Sequence, residues 1–169
     1  MATYVQIATY TATGSVSSID FTSIPSTYTD LIIKYSLRST ANAATQGGQL
    51  TKISFNGSTA NLSRRRLYGN GSSAGSDSAS DNIIGYNNPS DYTANTFGNG
   101  ELYVPNYAGS ANKSFSVDSV DENNATAAEI AFVAGLWSQT TAINAISLIP
   151  YAGNWVQYST ATLYGIKSS

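Results

Sequence analysis

Along most of this chain apolar and polar side chains alternate one by one, and a period of two marks a strand with one face buried. Between Thr29 and Arg38, Leu31, Ile33, Tyr35 and Leu37 fall on one side, while Lys34, Ser36 and Arg38 fall on the other. Ile53 and Phe55 alternate with Lys52 and Ser54. Asn56-Gly57 closes that strand, because both residues accept the positive φ of a tight hairpin turn. Phe115 and Val117 alternate with Ser114, Ser116 and Asp118. Ile130, Phe132, Ala134 and Leu136 share a face; the opposite face carries Glu129, Ala131, Val133 and Trp137, so it too is expected to be partly covered. Ala145 to Ile149 reads as a strand stopped by Pro150, which has no N–H to give to a ladder. From Trp155 to Ile166, the residues Val156, Tyr158, Thr160, Thr162, Tyr164 and Ile166 fall together.

Helical spacing is scarce. Its best stretch is Asn124 to Glu129, and Ser, Thr, Asn and Gly, which dominate elsewhere, are mediocre or poor helix formers. The pattern therefore predicts an all-β chain: a single antiparallel β-sandwich, jelly-roll-like, of about 8–10 short strands, occupying 1–169 as one domain. Three segments break the rhythm. Gly69 to Asp81 holds no large apolar side chain and reads as an exposed polar loop. Tyr86 to Gly100 is rich in turn residues, with a few aromatics to anchor it, and Met1 to Thr13 is expected to act as an N-terminal arm.

Composition narrows the chemistry. The 169 residues contain no cysteine and no histidine, which removes disulfides, thiolate sites and every serine–histidine triad. Only 11% of residues are charged, where an average domain has about 25%. The net charge is −2, so no global field gathers nucleic acid or an anionic membrane. A surface so poor in charge suits a subunit packed against neighbours. No secretion leader or membrane span is read from the sequence, so synthesis is expected in the cytoplasm.

Arg64-Arg65-Arg66 is the main basic run. Guanidinium forks suit phosphate, but on a strand Arg64 and Arg66 face one way and Arg65 the other, so no three-residue patch forms. Pairing with carboxylates, across a subunit boundary or not, is the preferred reading. Acidic residues gather at Asp77 to Asp81 and at Asp118, Asp121 and Glu122, without the spacing of a calcium loop. Glu101 and Glu129 are the only strand carboxylates to weigh for glycoside hydrolysis, and neither sits among several aromatics. No catalytic, metal or cofactor residue is assigned. The twelve tyrosines matter more, because Tyr favours interfaces. Tyr86, Tyr92, Tyr103, Tyr107 and Tyr151 lie in or beside turns and, with Arg64 and Arg66, are the expected contacts between subunits.

Three stretches carry a resemblance: FTSIPSTYTDLIIKYSLRS (21–39), ISFNGSTANLSRRRLYGNGSS (53–73), and GLW followed by AINAISLIPYAGNWVQYSTATLYGIK (135–167). In these the chain resembles a family of virion structural proteins of tailed bacteriophages. The resemblance implies a homotrimer of β-sandwiches bound to the major capsid protein or other virion proteins, as a capsid decoration (cement) protein. The alternative is a tail-fibre or appendage module that recognises host glycans through exposed aromatics such as Tyr86 and Tyr92 beside Asn87 and Asn88.

Overall fold

A computed structural model describes residues 3–44, 48–123 and 128–167. The described chain is an all-β sandwich of twelve strands: β1 (Thr3–Thr11), β2 (Ile19–Phe21), β3 (Asp30–Leu37), β4 (Gln49–Phe55), β5 (Leu62–Gly69), β6 (Ala74–Ala79), β7 (Ile83–Asn87), β8 (Gly98–Pro105), β9 (Lys113–Glu122), β10 (Ala128–Trp137), β11 (Ile146–Pro150) and β12 (Thr160–Lys167). Two antiparallel sheets face each other. The larger runs β1-β12-β3-β8-β9-β10-β5-β6 and the smaller runs β2-β11-β4-β7.

The alternation in β3 does what it should: Leu31, Ile33, Tyr35 and Leu37 are buried, and Lys34 points out to pair with Glu101 at 3.1 Å. Ile32 is buried as well. It lies on the outer face between its register partners Tyr103 and Tyr164. From the smaller sheet, Ile53 and Phe55 of β4, Ile146 and Leu148 of β11 and Ile84 of β7 fill the gap between the layers. Phe55 is the centre of that contact, with ring centroids 5.5 Å from Phe115 and 5.4 Å from Trp137. Trp155 is fully buried and its indole N–H donates to the Leu148 carbonyl at 2.9 Å.

The turn after β4 is built as its sequence predicts. Asn56 and Gly57 both have positive φ, and Phe55 and Ser58 exchange backbone hydrogen bonds. The Asn56 side chain then accepts from the N–H groups of Asn144 and Ala145, tying this turn to the chain that enters β11.

Several expectations need correcting. Gly69 to Asp81 is not one loop. Gly69 ends β5, the Asn70 side chain caps a turn by accepting from Ser72 and Ser73, and Ala74–Ala79 returns as the edge strand β6. Strand formation there needs no apolar side chain, because pairing with β5 satisfies the backbone. Residues 3–11 of the expected arm are likewise the edge strand β1, paired with β12. In the last segment, only 160–167 is strand. Tyr158 sits in a turn at φ 71 and is exposed, and the buried positions of β12 are Ala161, Leu163, Gly165 and, of the expected face, Ile166. Residues 124–127 of the helix candidate lie outside the described residues.

Candidate functional site

The larger sheet is twice as wide as the one facing it. The hairpins β9–β10 and β5–β6 form an extension at one end of it, and Phe55 of the smaller sheet still packs there on Phe115 of β9 and Trp137 of β10. The two faces of that extension carry the chemistry.

The inward face is apolar at Phe115, Val117, Val133 and Trp137 and is closed towards the β5–β6 edge by ion pairs. Arg64 and Arg66 alternate with Arg65 along β5, so the first two turn inward. Arg64 donates through Nε and Nη2 to the two oxygens of Asp81, at 2.8 and 3.1 Å, and through Nη1 to Asp77. Arg66 holds Asp77 with Nη2 at 2.6 Å and gives Nη1 to the Tyr86 hydroxyl at 3.0 Å. Its guanidinium stacks between the rings of Tyr68 and Tyr86. Burial works against ionisation of Asp77, but the hydrogen bonds from Arg66 and Arg64 outweigh it and hold its carboxyl below the usual range. The acidic run 77–81 is thus the partner of the arginine run within one chain, because β6 folds back beside β5.

Beyond the arginines, Asp121 and Glu129 are register partners on β9 and β10. Asp121 is buried, and one of its oxygens accepts from the Glu129 N–H at 2.6 Å while the other has no hydrogen-bond partner among the described residues. Burial, supported by the neighbouring carboxylates Glu129 and Glu122, pushes its pKa up to about 8, so at neutral pH it is mostly protonated. Among the described residues no set of three acidic or other metal-binding side chains converges on one point.

The outward face is apolar where water meets it. On β10 the burial runs opposite to the expectation that Ile130, Phe132, Ala134 and Leu136 are the better covered side. Ala131, Val133 and Trp137 are buried, whereas Phe132 is 56% exposed and Ile130 43%. The reason is Trp137: its ring packs on Phe55 in the core, and period two then sends the even-numbered residues outward. Leu67, register partner of Phe132 on β5, is 63% exposed. Leu67, Phe132 and Ala134 line a shallow groove of about 800 Å³, bordered by Arg65, Ser76 and Asp118. The signal was present in the sequence, since a strand with one wet face has no need of the unbroken apolar run from Ile130 to Val133.

Five of the seven expected subunit contacts are corrected by their placement. Arg64, Tyr86, Tyr92 and Tyr107 are buried inside the protomer, and Arg66 is nearly so. Tyr107 donates to the Pro25 carbonyl. Tyr103 is half-buried and donates to Asp30 at 3.0 Å. Tyr151 alone of the five tyrosines is exposed, with the Lys52 ammonium 5.3 Å from its ring centroid. The turn-rich residues near Tyr92 fold inward because Arg38 reaches into them. Its guanidinium donates to the carbonyls of Ser90, Tyr92, Thr93 and Thr96 at between 2.8 and 3.0 Å.

No family model, curated protein or solved structure matches this chain.

Proposed function

We propose that this chain is a structural protein of a bacteriophage particle, a capsid decoration protein that works by packing against other virion proteins and against copies of itself. The observation that carries the reading is the apolar patch on the outward face of β10 and β5. Leu67, Ile130 and Phe132 stand together in water on a rigid sheet, and contiguous apolar surface of this kind marks a place where another protein sits. The low charge of the chain agrees, since little electrostatic repulsion keeps neighbours apart.

Winding adds support. Except within β5–β6 and β8–β9–β10, each connection carries the chain from one sheet to the other. That alternation supports a jelly-roll reading, an architecture used in capsid and lectin domains alike. Architecture does not choose between them, and the sequence resemblance to virion proteins tips the reading. The glycan-binding alternative loses its footing on Tyr86, Asn87, Asn88 and Tyr92, which are all buried.

Capsids assembled without this protein provide the test. Mixed with the purified chain and sedimented, they are expected to carry it into the pellet and to withstand heating better afterwards. A chain left in the supernatant by every particle fraction contradicts the proposal.

A further inference from the structure

The register of the extension sets its outward residues in rows. One row, across β5, β10 and β9, is Arg65, Ala134 and Ser116; the next is Leu67, Phe132 and Asp118. Arg65 and Asp118 therefore occupy opposite corners of a rectangle whose middle is the Phe132–Ala134 pair. With strands about 4.8 Å apart and rows about 6.8 Å apart, their Cα atoms lie about 12 Å from each other. Both are exposed, and neither takes part in an ion pair among the described residues. One cation and one anion are thus left unmatched on either side of an apolar centre.

That arrangement is complementary to itself. A two-fold axis lying in the plane of the face, across the Arg65–Asp118 diagonal, exchanges the two corners. Arg65 of each copy then meets Asp118 of the other, and the Phe132–Leu67 row of one copy comes onto that of its partner. We infer that the occupant of this groove is a second copy of the chain, docked face to face about such an axis. The inference rests on the reading that copies pack against one another, and it names the surface. A closed three-fold ring, the order implied by the sequence resemblance, joins unlike surfaces and leaves no role for this symmetry. Opposite charges across such a contact fix register and select the partner, while the apolar row supplies the attraction.

Charge reversal tests the pairing, because both corners are exposed and the fold survives their exchange. Sedimentation velocity of the purified full chain over a range of concentrations is expected to show dimers, or multiples of two. Arg65→Asp and Asp118→Arg each place like charges at both corners and are expected to weaken association at least about tenfold. Mixing the two single variants makes both corners attractive again, so heterodimers should return to wild-type strength. Single reversals that assemble as well as the wild type, or a mixture that fails to recover, overturn the inference. A wild-type monomer that nevertheless binds particles also overturns it, handing the groove to another virion protein while the virion role stands. A chain that joins neither itself nor particles removes both.

Discussion

The ring of Phe115 lies across Gly135, its register partner on β10, so closely that a Cβ on the glycine would come within 2.1 Å of ring carbons. The glycine is what lets Phe115 lie flat on the sheet and still reach Phe55. Aromatic cover of a strand glycine recurs at Gly100 under Tyr35 and at Gly75 under Tyr68. Gly135→Ala is therefore expected to lower stability by about 2 kcal/mol through overpacking. Urea unfolding followed by tryptophan fluorescence measures this. An unchanged midpoint would mean that the ring has room to move.

Arg38 anchors a segment that has few apolar contacts of its own. Arg38→Lys keeps the charge but replaces a planar fork with a single ammonium that cannot reach four carbonyls at once. Amide exchange in 90–97 is expected to speed up by about tenfold or more, equivalent to roughly 1.4 kcal/mol of lost local protection, with little change in β3. Hydrogen exchange read by mass spectrometry checks both halves of that statement.

The carboxyl of Asp121 makes stability depend on pH in an unusual direction. Its folded pKa of about 8 lies above that of an unfolded aspartate, so the folded state holds the proton more tightly. Its contribution is fully present below about pH 4 and is lost as pH rises towards 8. Asp77 has the opposite sign: its lowered pKa gives stability that disappears in acid. Asp121→Asn mimics the protonated form, keeping an oxygen for the Glu129 N–H. Its melting temperature is expected to exceed that of the wild type at pH 8 and to match it near pH 4. Parallel melting curves across this range would show that Asp121 does not titrate as described.

Arg64 and Asp81 bind through two parallel hydrogen bonds beneath the β5–β6 hairpin. Arg64→Ala leaves Asp81 without its cation and removes one of the two guanidinium groups that hold Asp77. A loss of about 2–3 kcal/mol is expected, towards the low end for a broken buried pair because both aspartates are about one-third exposed. Chemical denaturation of this variant beside Arg65→Ala, which should fall within about 0.5 kcal/mol of the wild type, separates a structural arginine from a surface one.

The fold class was readable because alternation picks out the core side of several strands: Phe115 and Val117 on β9, and Leu31 and Ile33 on β3, where Ile32 is buried as well. Strand count was underestimated where pairing is driven by backbone alone: Ala74–Ala79 has nothing apolar to signal a face. The candidate site was harder to find. Tyr86 and Tyr92 have the composition of an interface, yet Arg66 and Arg38, distant in sequence, draw them inward. On β10, with apolar residues on both sides, local pattern could not say which face met Phe55, and that choice decides whether Phe132 is core or surface.

A density map of the intact particle, fine enough to place single strands, bears most directly on a packed virion role. Such a role predicts that the Phe132 and Leu67 face is covered by another protein chain wherever this one is bound. A map in which that face lies open to solvent in every copy, or in which the particle lacks the chain altogether, would contradict it.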